Sequence, residues 1–118
     1  MKNDILAVYE NEVRRTGDAM YANSDEIFKL MRICLGLTGE AGECADIIKK
    51  AADYNGSKLS DEAKEHLILE MGDVLWYLTN AAFALDIDLE KIMKENIAKS
   101  HRRYPNGFTI EDSKIHKD

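Results

Sequence analysis

A chain of 118 residues with 45% apolar content, one proline and a formal net charge of −6 is bounded before any motif is read. Its length is that of one domain with a real core, near the size at which oligomerisation adds to stability, and its composition excludes a disordered or linker-rich chain. The acidic balance excludes a general binder of nucleic-acid backbone, so no nucleic acid polymer is expected as a partner and any phosphate binding must be local.

No run of about eighteen apolar residues occurs, so no membrane partner is expected. The N-terminal stretch carries charges through its first turns and no apolar core of the kind a signal peptide needs. Cys34 and Cys44 fall ten residues apart on one predicted helix, about 15 Å along its axis and far beyond disulfide reach. They read as buried thiols of a cytoplasmic protein.

The first predicted helix covers residues 3–16, with Ile5, Leu6, Val8, Tyr9 and Val13 at helical spacing and Gly17 as its end. Asn23 or Ser24, followed by Asp25 and Glu26, caps a second helix running to about Asp53. Its apolar stripe is Ile27, Leu30, Cys34, Leu37, Ala41, Ala45 and Ile48. Glu40 and Glu43 lie about 100° to 160° from the centre of that stripe, on the side of Ile33, Gly36 and Ile47, so the helix has two inward faces. Gly36, Gly39 and Gly42 each cost about 1 kcal/mol against Ala in a helix interior, which suggests a close approach to the backbone there.

A turn at residues 53–58 leads to Ser60, which caps a third helix reaching about Leu85. Its stripe is Leu67, Met71, Val74, Leu78, Ala81 and Leu85, with Glu70 only about 40° from the centre and Asp73 about 100° away. Asp88 caps a fourth helix with Leu89, Ile92, Met93 and Ile97 as its core, closed by Pro105. The predicted fold is all-α, an antiparallel four-helix bundle over residues 1–108, followed by a loosely held polar tail over 109–118.

Glu40 with Glu43, and Glu70 with Asp73, are spaced to be neighbours on a helix surface. Each pair sits in a run that otherwise reads as buried, where unpaired carboxylates would cost several kcal/mol or neutralise. Two such clamps facing each other call for a cation. Four oxygen donors with no His or Cys among them suit Mg²⁺, or Mn²⁺, better than zinc or copper. A single Glu-x-x-Glu is more often a solvated helix face, and the inference rests on two pairs that both lean inward. Asp46 points away from the other two acids of its helix. A di-iron centre is disfavoured, because it needs Glu-x-x-His on two helices and His66, His101 and His116 do not supply that spacing.

On the fourth helix Asn96, Lys99 and Arg103 recur at spacings of three and four, an amide-bearing and cationic face suited to a polyphosphate. Cations decorating a helix C-terminus for dipole reasons are the plainer alternative. Trp76 and Tyr77 follow Asp73 directly and are candidates for stacking on a base, with packing against a helix or a second subunit the competing use.

The runs LGLTGEAGECADIIKK, LEMGDVLWYL and IDLEKIMKENIAKSHRRYPNGF together resemble the MazG-like all-α nucleoside triphosphate pyrophosphohydrolases. The resemblance spans about Leu35 to Phe108. Glu40 and Glu43 match the last two glutamates of the family's Glu-Glu-x-x-Glu signature, Gly39 stands where its leading Glu is expected, and Glu70 and Asp73 match its Glu-x-x-Asp signature. The resemblance implies an enzyme that hydrolyses a (deoxy)nucleoside triphosphate to the monophosphate and pyrophosphate, in nucleotide-pool house-cleaning. Glu40, Glu43, Glu70 and Asp73 would be metal ligands, with Glu43 and Glu40 the catalytic carboxylates and Asn96, Lys99 and Arg103 the phosphate contacts. It further implies Mg²⁺ as cofactor and a homodimer or homotetramer that completes the bundle. The competing reading, favoured by Gly39, is a noncatalytic nucleotide-binding or protein-interaction module of the same fold.

Overall fold

A computed structural model describes residues 4–115, so the predicted tail residues 116–118, His116 among them, lie outside the described residues. Among the described residues the fold is all-α, as expected, with α1 over Ile5–Met20, α2 over Glu26–Tyr54, α3 over Asp61–Ala84, α4 over Leu89–Arg103 and a short α5 over Ile110–Ser113. Side-chain caps set the starts. Asp25 accepts from the Phe28 N–H at 2.8 Å, Ser60 from Ala63 at 3.1 Å and Asp88 from Lys91 at 2.9 Å, each satisfying a donor that the first helical turn leaves open. The described residues form two compact units divided after Asp86.

In the first unit α2 and α3 form a long helical hairpin. Gly36 meets Tyr77, Glu40 meets Glu70 and Asp73, and Ile47 shares a groove with Ala63, so residue numbers rise on one helix as they fall on the other and the pair is antiparallel. Contacts with α1 rise in step instead. Tyr9 reaches the Gly72 carbonyl at 3.4 Å, the Trp76 indole N–H donates to Thr16 Oγ1 at 2.8 Å, and Arg14 lies 3.6 Å from the centre of the Phe83 ring. Thus α1 runs parallel to α3 along its other flank. Val13, Ile33, Thr79 and Ala82 are the most buried side chains of this unit.

Four expectations change on contact with the structure. Gly17 does not end α1, which runs on to Met20, because the glycine serves close approach: a Cβ there would lie 2.1 Å from Asn80 Oδ1. Among the three glycines of α2, only Gly36 is crowded, with a Cβ placed 2.2 Å from Tyr77 Cε1, while Gly39 and Gly42 have no described atom within 4 Å. The face of α2 turned to α3 is the second one, with Ile33, Gly36, Glu40 and Ile47 buried or half-buried, whereas in the main stripe only Leu30 and Leu37 are half-buried and Ile27, Cys34, Ala41, Ala45 and Ile48 are exposed. Cys34 is therefore an exposed thiol rather than a buried one, and Cys44 is half-buried.

The second unit contains α4 and α5. Leu89 is its buried anchor, ion pairs link Lys91 to Glu95 at 2.7 Å and Lys94 to Glu90 at 3.4 Å, and Tyr104 stacks at a tilt on Phe108 with ring centres 5.3 Å apart. The predicted tail holds one capped turn, as Thr109 accepts from the Asp112 N–H at 3.0 Å.

Candidate metal centre

The hairpin brings three of the four predicted ligands together. Glu40 from α2 and Glu70 and Asp73 from α3 each offer a carboxylate oxygen, and the three oxygens lie within 4.8 Å of one another. Neighbouring oxygens around a cation with ligands at about 2.1 Å lie about 3 Å apart and opposite ones about 4.2 Å, so these three would have to draw together to hold one hard cation. Glu40 and Glu70 are half-buried and Asp73 is exposed, which leaves one side of the cluster open to water or substrate.

Crowding of like charge shows in the protonation. The Glu40 carboxyl is pushed above the usual carboxylate range, first by a hydrogen bond shared with Glu70, then by burial and by the negative charges of Asp73, Glu70 and Glu43. Carboxylates this close need a shared proton or a cation between them. The donor set, all oxygen and all acidic, fits a divalent hard metal.

Glu43 is placed differently. Three residues on from Glu40 it falls about 60° short of a full turn. It is exposed, lies outside the mutual cluster and lines an adjoining groove of about 390 Å³ together with Asp46, Lys50, Asn55, Lys58 and His66. Asp46 is engaged by Lys50 at 2.8 Å, a pairing that holds its carboxyl below the usual range and keeps Asp46 out of the cluster, in keeping with its orientation on the helix.

Trp76 and Tyr77 are drawn into packing. Trp76 gives its indole N–H to Thr16, lies 6.2 Å from Tyr21 and meets Tyr77 edge-on at 5.0 Å, while the Tyr77 ring fills the space over Gly36. Asn96 and Lys99 line a groove of about 340 Å³ on the second unit with Lys91, Ile92 and Glu95, and Arg103 is half-buried in the last turn of α4.

Two residues join the cluster that the pattern of acids did not single out. Tyr9 on α1 has its hydroxyl near Gly72 and its pKa raised by burial and then by the charge of Asp73, and no spacing signal links residues so far apart in sequence. His66 lies 3.3 Å from Glu70, and its position one turn earlier on the same helix was a readable signal.

The pattern of the family described as "MazG nucleotide pyrophosphohydrolase domain" matches residues 28–108. A protein of Mycobacterium phage L5, called "Gene 37 protein", is 35% identical over 83 residues, which make up 70% of this chain and 73% of the phage protein. No solved structure matches. The matched segment takes in both acidic pairs and the whole of α3 and α4, and the chain belongs to the MazG nucleotide pyrophosphohydrolase domain family.

Proposed function

We propose that this protein is a Mg²⁺-dependent nucleoside triphosphate pyrophosphohydrolase acting on a cytoplasmic nucleotide pool. The observation that carries the reading is the convergence of Glu40, Glu70 and Asp73 from facing helices to within 4.8 Å, on a chain of the nucleotide pyrophosphohydrolase family. In the proposed reaction water adds its oxygen to the α-phosphorus, the α–β anhydride bond breaks, and pyrophosphate leaves with the bonding electrons. A bound divalent cation supplies neutralisation of the phosphate charge and polarisation of the phosphoryl oxygens.

The protein's own residues have separate tasks in this reading. Glu40, Glu70 and Asp73 hold the cation, and Glu43, at the groove edge, is a fourth ligand or accepts the proton of the attacking water. Glu40 is the second carboxylate proposed to share in that proton transfer. Asn96, Lys99 and Arg103 bind the phosphates, and the half-buried Trp76 and Tyr77 are the aromatic groups proposed to contact the base, on the ring surface that their packing leaves.

The exposed apolar surface supports assembly as a homodimer or homotetramer. Ile27 is 76% exposed and Leu35 65%, and a nearly unbroken apolar groove of about 590 Å³ is lined by Ala41, Cys44, Met71, Val74, Leu75 and Leu78. Light scattering of wild type and Leu75→Glu tests this, with dissociation of the variant as the expected result.

Pyrophosphate release from a panel of nucleoside triphosphates with Mg²⁺ tests the activity. Turnover of at least one of them is expected, with losses on the order of a hundredfold in Glu70→Gln and Asp73→Asn. A noncatalytic module is favoured by Gly39 in place of the family's leading Glu. Nucleotide binding without pyrophosphate release would establish that reading instead.

A further inference from the structure

We infer that His66 is a positioning residue for the metal ligand Glu70, an inference that rests on the metal-dependent reading above. His66 stands one turn before Glu70 on α3, with Nε2 3.3 Å from Glu70 Oε1. Its side chain is 61% exposed and that of Glu70 only 18%, so the ring reaches from the groove edge toward a carboxylate whose other close neighbours are Glu40 and Asp73.

Glu40 shares a hydrogen bond with Glu70, but Asp73 repels it. A glutamate side chain has three rotatable bonds, and with the Asp73 charge beside it the carboxylate is free to swing out toward water. The imidazole, whose Nε2 lies 3.3 Å from one of its oxygens, opposes that motion and keeps the other lone pairs directed at the cluster. Of the two lysines that line the groove, Lys50 is engaged by Asp46 at 2.8 Å and does not take this place. His66 itself is not among the residues whose ligand atoms converge, so its role is exercised through Glu70.

Partners that orient metal ligands change affinity by about 10–100-fold, and an exposed contact of this length belongs at or below the lower end, about fivefold to tenfold. The test measures Mn²⁺ binding by electron paramagnetic resonance to the full chain without nucleotide, for wild type, His66→Ala and His66→Gln. All three proteins are measured at one pH. His66→Ala is expected to weaken Mn²⁺ binding about fivefold to tenfold, and His66→Gln, whose amide N–H replaces that of Nε2, to stay within about twofold. The spectrum of bound Mn²⁺ should lack coupling to a directly coordinated nitrogen, and ion-free melting points of the three proteins should agree to within about 4 °C, the most that loss of so exposed a contact can cost.

Equal affinity of wild type and His66→Ala overturns the inference. So does a Gln variant as weak as the Ala variant, or a nitrogen bound directly to the metal. Wild-type protein that binds no Mn²⁺ overturns the metal-dependent reading itself and removes the ligand that His66 was to position.

Discussion

Replacing Glu70 by Gln should make the ion-free protein more stable and the magnesium-loaded protein less so. The ligand oxygens of Glu40, Glu70 and Asp73 lie within 4.8 Å of one another. Two unit charges at that separation repel by about 3.5 kcal/mol at an effective dielectric of about 20 and by about 0.9 kcal/mol in bulk water. Glu70 is 18% exposed and Asp73 is exposed, so screening is substantial and the Glu70–Asp73 repulsion is about 1–2 kcal/mol. The hydrogen bond that Glu40 shares with Glu70 relieves part of the other repulsion. Gln removes the charge at position 70 and can donate to Glu40, against which stands the lost His66 contact, worth under about 1 kcal/mol for so exposed a partner. The net gain is about 1 kcal/mol, or roughly 4 °C in Tm for a chain of this size.

Magnesium acts in the opposite direction. At about a hundred times its Kd, a ligand bound only by the folded state adds about 2.7 kcal/mol, roughly 10 °C on the same scale. The variant, short of one ligand, should gain less than about a third of that. Melting curves by calorimetry in chelator and in magnesium therefore cross: the variant melts above wild type without the ion and below it with the ion. A variant that melts lower in chelator, or that gains as much from magnesium as wild type, refutes the reasoning from charge crowding to metal site.

Gly17→Ala places a methyl 2.1 Å from Asn80 Oδ1, and Asn80 is itself held by its Nδ2 on the Trp76 carbonyl at 3.0 Å, so a loss of about 1–3 kcal/mol is expected, read as a lower urea midpoint at unchanged slope. Gly39→Ala meets no described atom within 4 Å and should stabilise α2 by about 0.5–1 kcal/mol in the same assay. The folded state holds the Glu40 proton more tightly than the unfolded chain, so this group's contribution to stability falls as pH rises from its ordinary value of 4.5 upward. Denaturation of wild type and Glu40→Gln across pH in chelator should show wild type losing ground to the variant over that window, and the increment that magnesium gives wild type should grow with pH as the proton stops competing for the carboxylate.

The helices themselves were legible in the chain, because their signals are local. Ser60 and Asp88 announce helix starts by chemistry that acts over three residues, the cap of α2 falls on Asp25 just past the expected Asn23 or Ser24, and Pro105 sets a limit that α4 respects by ending at Arg103. The two acidic pairs were legible as well, since carboxylates within apolar runs call for an explanation that length and composition do not supply. Gly17 was misread for a complementary reason: a glycine that ends a helix and one that admits a neighbour look alike until Asn80, more than sixty residues away, is in place.

Only packing could choose between the two inward faces of α2. The face bearing Gly36 meets α3 because the Tyr77 ring needs the space that a missing Cβ leaves, and the same rotation turns Glu40 toward Glu70 and Asp73 while carrying Glu43 to the groove edge. Thus the sequence by itself determined which residues form helices and which carboxylates are available to a metal, both consequences of interactions within a turn or two. The tertiary structure decided which three acids converge, that His66 and Tyr9 lie beside them, and that most of the main apolar stripe of α2 is exposed, because each depends on how one helix is rotated against the next.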